Sequence, residues 1–169
     1  MRDDSLSEEY PGTPLSDAQV RRREVLTLEA QPCARYAWDT GVAIGRFLQE
    51  LKNGRFIARR CHRCQRVLLP PRMFCEECFR PTDEWVYVPD SGTVNTYSVS
   101  HIRWDASPLP EPLIVAVVEM DGTSQGGLLH YLGSVKPEKV RIGMKVQAVW
   151  RPPQEREGSI LDIRYFQPT

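Results

Sequence analysis

Cys61-His62-Arg63-Cys64 and, after ten residues, Cys75-Glu76-Glu77-Cys78 constrain this chain more than any other stretch. A C-x-x-C pair closes into a tight turn whose two sulfurs face one point, and two such turns supply four thiolates. Four thiolates at this spacing form the closed tetrahedral set of a structural zinc ribbon, with no position left for water or substrate. The competing readings are two disulfides, or an iron centre of the kind used for electron transfer. His62 lies inside the first turn and would be a fifth ligand to a four-coordinate ion, so it is expected at the surface. The motif says that a metal folds this segment and leaves the function open.

A chain of 169 residues, 41% of them hydrophobic, can build one domain or two small ones around a modest core, which a metal would supplement. Lys and Arg number 22, as do Asp and Glu, and this zero formal charge argues against a dedicated nucleic-acid binder. No apolar run approaches the ~20 residues that span a bilayer. Met1-Arg2-Asp3-Asp4-Ser5 lacks the apolar segment of a secretion signal. With four of its five cysteines in C-x-x-C pairs, the chain is expected to be cytoplasmic.

Residues 1–39 read as an N-terminal extension, acidic and mobile at its start. Ser16 and Gln19 have capping-box spacing for a short helix from Asp17 to about Leu28, with Arg21, Arg22 and Arg23 on a solvated face. Cys33 reads as a half-buried structural thiol. Residues 40–54 are better defined. Asp39 or Thr40 caps a helix in which Ile44, Phe47, Leu48 and Leu51 recur at i, i+3, i+4 and i+7, and Asn53-Gly54 stops it. That stripe must dock, either on the chain's own sheet or on another subunit. Gly45 inside the helix suggests that something packs close against it.

Residues 55–82 form the metal-binding segment, entered by a strand at Phe56-Ile57-Ala58 and left by Val67-Leu68-Leu69, which Pro70-Pro71 ends. It carries seven arginines (55, 59, 60, 63, 66, 72 and 80) against Glu76 and Glu77. That excess serves either to offset the negative charge of a four-thiolate site or to bind phosphate. Residues 83–169 are β in texture. From Thr93 onward five strands are expected, the first running to about Trp104, then Leu113–Met120, Gly127–Leu132, Lys145–Trp150 and Ile160–Phe166. Ser107–Pro112 is expected to be a loop. Five strands of this size make a small OB-type barrel or, as the alternative that periodicity cannot separate, an SH3-like one.

The order of parts resembles a known family. A helix ending in Leu51-Lys52-Asn53-Gly54 leads into the first cysteine pair, followed by Pro70-Pro71-Arg72, the second pair, Ser91-Gly92-Thr93-Val94 and Ile142-Gly143-Met144-Lys145-Val146. This looks like the DUF35 family of acyl-CoA-associated proteins, over about residues 40–166. The resemblance implies a mainly β chain with N-terminal helices, in which a rubredoxin-like zinc ribbon precedes a five-stranded OB-fold barrel. It implies structural Zn2+ on Cys61, Cys64, Cys75 and Cys78. It further implies an accessory subunit of a thiolase-like protein, working on acyl-CoA at a shared site and not catalytic alone. Arg72, Arg63 and Arg60 are then the candidates for a CoA phosphate, and Ile44, Phe47, Leu48 and Leu51 for partner docking. One departure is Gln65, where the family's first turn usually has Gly; a left-handed Gln there costs roughly 1–2 kcal/mol.

A second function class is a single-stranded nucleic-acid-binding ribbon/OB module, with Tyr97, Trp104, Tyr131 and Trp150 as stacking aromatics. His101 and His130 read as packed or surface histidines and not as general bases.

Overall fold

A computed structural model describes residues 15–25, 33, 35–124 and 126–169. The chain divides into two compact units, Met1–Trp38 and Asp39–Thr169. In the first, α1 (Asp17–Arg21) starts with the expected capping box: Ser16 Oγ accepts from the Gln19 N–H, and Gln19 Oε1 accepts from the Ser16 N–H. The helix is shorter than expected. Arg23 turns left-handed at φ 55°, and residues 26–28 of the anticipated helix lie outside the described residues. Arg21, Arg22 and Arg23 face solvent. Cys33 is exposed, which corrects the half-buried expectation.

In the second unit, α2 (Gly41–Lys52) is capped from Asp39, whose Oδ1 accepts from the Gly41 N–H at 2.8 Å, while the Thr40 side chain makes no cap. Gly54 ends it at φ 70°, a conformation that costs a glycine nothing. A Cβ on Gly45 would meet only Thr40 Oγ1, so the close neighbour there is the helix's own first turn and not another element. The apolar stripe of α2 packs on β1 (Phe56–Cys61). β1 is the centre of an antiparallel three-stranded sheet, with β2 (Arg66–Leu68) on one side and β3 (Glu84–Val88) on the other. β3 thus falls within the segment expected to be barrel and yet pairs with the metal-binding segment. Glu50, buried on α2, fastens the helix to this sheet by accepting from the Tyr87 hydroxyl at 3.0 Å and from Arg55 at 2.7 Å.

Five strands follow: β4 (Ser91–Ile102), β5 (Pro108–Met120), β6 (Leu128–Leu132), β7 (Lys145–Trp150) and β8 (Ile163–Pro168). They close in the order β4-β5-β6-β8-β7, with β6 and β8 parallel. This is the five-stranded OB barrel, and the SH3-like alternative is set aside. Two expectations change in detail. The proline-rich segment is strand and not loop: β5 begins at Pro108, paired with Ile102, and its prolines occupy an irregular stretch with no neighbour on the outer side. Ile160–Asp162 is a 3-10 turn ahead of β8 rather than part of it.

The barrel interior is filled by alternate residues of each strand, including Val94, Ala116, Val118, Val146 and Phe166, as the period of two requires. The same apolar cluster continues into Phe56, Ile57, Phe47 and Leu51, so helix, three-stranded sheet and barrel share one core. Phe56 and Trp150 meet across it, ring centroids 4.9 Å apart. The loop before β8 is held by Asp162, which is buried and accepts the backbone N–H groups of Glu157, Gly158 and Ser159 at 2.8–3.1 Å. Burial alone would raise its pKa; these three donors hold the carboxyl below its usual value.

Candidate metal centre and the cleft beside it

Cys61 ends β1, Cys64 lies in the turn to β2, and Cys75 and Cys78 sit in a second turn closed by the Cys75 N–H to Arg80 oxygen bond. The four Sγ atoms lie within 4.8 Å of one another, Cys61 and Cys78 at 3.6 Å. Thiolates at about 2.3 Å from a central zinc would stand about 3.8 Å apart, so the set fits the ion. All four cysteines are free thiols, which removes the disulfide reading.

The backbone is shaped for the same purpose. Gln65 and Phe79, one residue past each pair, are both left-handed at φ 54°. The glycine-like position therefore exists in both turns, and these side chains bear its cost. Within the second turn amides face sulfur: the N–H groups of Cys78 and Glu77 lower the Cys75 thiol to about 7. Cys64 moves the other way, pushed up to about 12 by Cys78 and by burial. Four thiolates repel one another without a cation between them, and a divalent ion reverses that repulsion. His62 takes no part. It is exposed, with its ring 3.3 Å from Glu84, while its backbone N–H donates to Asp83 Oδ2.

Most of the arginine excess is spent on structure. Arg55 pairs with Glu50, and Arg66 reaches Glu76 at 2.7 Å and Glu77 at 3.6 Å. Arg59 is buried, donates to the Thr82 hydroxyl and carbonyl, and lies 4.7 Å from the Trp85 ring, which Arg46 also covers at 4.5 Å. Of the three phosphate candidates, Arg72 pairs with Glu76 at 3.2 Å and Arg60 with Glu84 at 3.3 Å. Arg63 differs. With Arg80 it lines a cleft of about 420 Å3, shared with Cys61, His62, Pro81 and Asp83. Neither Arg63 nor Arg80 has a carboxylate within salt-bridge distance among the described residues. Of the three candidates only Arg63 lines this cleft, where Arg80 joins it. The signal was present: Arg63 and Arg80 each stand two residues after a cysteine that ends or opens a pair.

The four docking candidates also part company. Phe47 and Leu51 are 3% and 0% exposed, in the chain's own core, and Leu48 is half-buried. Only Ile44, at 37%, reaches the surface substantially, beside the exposed Val42. The stripe is largely used for internal packing because β1 offers it an apolar face. His130 is buried, its Nε2 3.2 Å from the Ile160 carbonyl and its Nδ1 accepting from the Tyr131 N–H, and His101 is exposed. Of the four candidate stacking aromatics, Trp150 is engaged by Phe56 and Arg156, whereas Tyr97, Trp104 and Tyr131 are exposed.

Residues 48–84 match the family model described as ChsH2, rubredoxin-like zinc ribbon domain, and residues 85–151 the one described as ChsH2, C-terminal OB-fold domain. A DUF35 domain-containing scaffold protein of Methanocaldococcus jannaschii is 34% identical over 96 residues, 56% of this chain and 67% of that protein. A probable enoyl-CoA hydratase alpha subunit of Thermomonospora curvata is 31% identical over 106 residues, 62% of this chain but 32% of that protein. Among solved structures, a protein of unknown function from the DUF35 family of Sulfolobus solfataricus shares the fold, with a TM-score of 0.61 at 23% identity, over 77% of this chain and 87% of its own. A chain of the Ltp2-ChsH2(DUF35) aldolase aligns with a TM-score of 0.57 at 27% identity, over 79% of this chain and 98% of its own.

Proposed function

This chain belongs to the DUF35 family, and we propose that it serves as a non-catalytic, zinc-binding subunit of a thiolase-like enzyme that forms or cleaves β-ketoacyl-CoA thioesters. In that role it helps assemble the complex and binds or channels the CoA thioester. The observation that carries this reading is the likeness, along nearly the whole of that chain, to part of an aldolase whose name joins Ltp2 to ChsH2. The hydratase alpha subunit that shares this segment adds a CoA-related name.

The ribbon's chemistry agrees with such a role. Held by four thiolates, a zinc ion keeps no open position, so its contribution is structural. The two guanidinium groups beside it, Arg63 and Arg80, form forks that match phosphate oxygens. They are therefore the first contacts to test for a CoA phosphate, ahead of Arg72 and Arg60, which would have to leave Glu76 and Glu84.

The deciding experiment is affinity purification of the full chain from its native host. Recovery of a thiolase-like subunit in stoichiometric amount is the expected result; migration as a free monomer would remove the reading. Single-strand DNA binding titrated against salt tests the nucleic-acid alternative, and no affinity at low salt is expected.

A further inference from the structure

The arm formed by β4 and β5 is longer than the barrel uses. β4 pairs with β7 only through Ser91, Gly92 and Thr93, and β5 pairs with β6 only from Ile114 to Val118. Between Ser100 and Leu113 the two strands have only each other. A lone two-stranded ribbon is marginal in water, so its persistence needs local causes. The tip supplies them. The Arg103 N–H donates to the Ser107 carbonyl and the Ala106 N–H to that of Arg103. Asp105 Oδ1 accepts both the N–H and the hydroxyl of Ser107, and the Arg103 guanidinium reaches the Ser107 hydroxyl and the Pro108 carbonyl.

This braced tip presents Trp104, 98% exposed, beside Ile102, 58% exposed. An indole held fully in water on a pre-ordered turn is costly to keep and cheap to bury. Its two side-chain torsions lose little entropy on binding, and the backbone has already been ordered. Edge addition by another strand is blocked, because Pro108, Pro110 and Pro112 offer no N–H along the outer side of the arm. The charged groups between Ser100 and Pro112 are Arg103, Asp105 and Glu111, with no basic excess to suit a phosphate-rich surface. What remains is a convex, nearly neutral, apolar knob.

We infer that the β4–β5 arm is a preformed docking finger whose anchor, Trp104, seats in an apolar pocket of the partner enzyme subunit. The inference rests on the proposed function and adds to it a surface, the convex partner of a concave site on the larger protein. Leu113, at the base of the finger, and Leu129 and Tyr131 on the adjoining outer face of β6 extend the apolar contact toward the barrel.

The test uses the full chain in its native host. A photo-crosslinking amino acid is placed at position 104 and, as a control on the far turn, at position 142. Irradiation is expected to join position 104 to a thiolase-like subunit, with little or no product from 142. Separately, Trp104→Ala is expected to weaken that complex about thirtyfold or more, the loss typical of a central aromatic anchor. Its melting temperature should not move, since the indole touches almost nothing. Wild-type chain that recovers the enzyme subunit while Trp104→Ala holds it within twofold overturns the finger and leaves the proposed function standing. Crosslinks from position 104 to lipid or to a second copy overturn it equally. Wild-type chain that recovers no such subunit overturns the proposed function, and the finger with it.

Discussion

The metal-bearing segment and the barrel solve the same problem with opposite means. The barrel closes its strands into a ring, leaving edges free only along the β4–β5 arm, and fills the interior with alternate apolar side chains. The ribbon has three short strands, which reach that common core through Phe56, Ile57 and Ala58 of β1 and through Val67 and Leu69 at β2. Its far end, the two cysteine turns, is held by four sulfurs and a mesh of arginine pairs. The barrel is stabilised by what it keeps from water, whereas at the cysteine turns a cation and charges take over. Changes that destroy one should therefore leave a recognisable remainder of the other.

Removing the metal gives the largest contrast. Chelation, or Cys61→Ser, should abolish roughly 10 kcal/mol or more of local stabilisation, the scale of structural zinc in small domains. Hydrogen exchange should then show the two cysteine turns, residues 61–65 and 72–82, unprotected while β4 to β8 keep their protection. A soluble chain whose ribbon stays protected without metal would end the structural role. A barrel that melts with the ribbon would show that the shared core at Phe56 makes them one cooperative unit. Phe166→Ala probes the opposite pole. This side chain is 0% exposed, and its loss should cost about 3–5 kcal/mol in a denaturant titration, opening the barrel.

A smaller effect tests the buried carboxylate of Asp162, in the turn ahead of β8. Asp162→Asn should cost about 1–3 kcal/mol at neutral pH, since it removes a charge that three backbone donors serve. Because the folded pKa is held below the ordinary aspartate value, that stability is present above the unfolded value and lost as pH falls through the folded one. The gap between wild type and variant should therefore close only in strong acid, and a gap that stays constant would refute the assignment. Smallest for stability is the pair Arg63→Ala and Arg80→Ala. Both side chains are exposed, so unfolding should shift by no more than about 0.5 kcal/mol. Acyl-CoA affinity of the assembled complex, measured by calorimetry, should nevertheless fall.

The sequence revealed elements more readily than pairings. Cysteine spacing located the metal site because ligand geometry is local, and left-handed Gln65 followed from the same turn. Strand alternation gave the five barrel strands for the same reason. What it missed depends on distant partners. Glu84–Val88 alternates like any edge strand, and nothing in its residues says that it pairs with Phe56–Arg60. Pro108–Pro112 read as a loop because proline cannot donate to a ladder, but on a strand with no outer neighbour the missing donors cost nothing. The arginines misled in another way. Charge counting could not tell that Glu50, Glu76 and Glu84 would take up Arg55, Arg66, Arg72 and Arg60.

The parallel contact between β6 and β8 has a consequence for the order in which the protein is made. The ring cannot shut until β8 arrives, the last of the five strands to leave the ribosome, because β8 lies between β6 and β7. The cysteine turns need only the stretch from Cys61 to Cys78 and can close on their ion while the barrel strands are still being synthesised. Metal supply would then act early in the birth of each chain, holding β1 in shape as a template until the rest of its core is delivered.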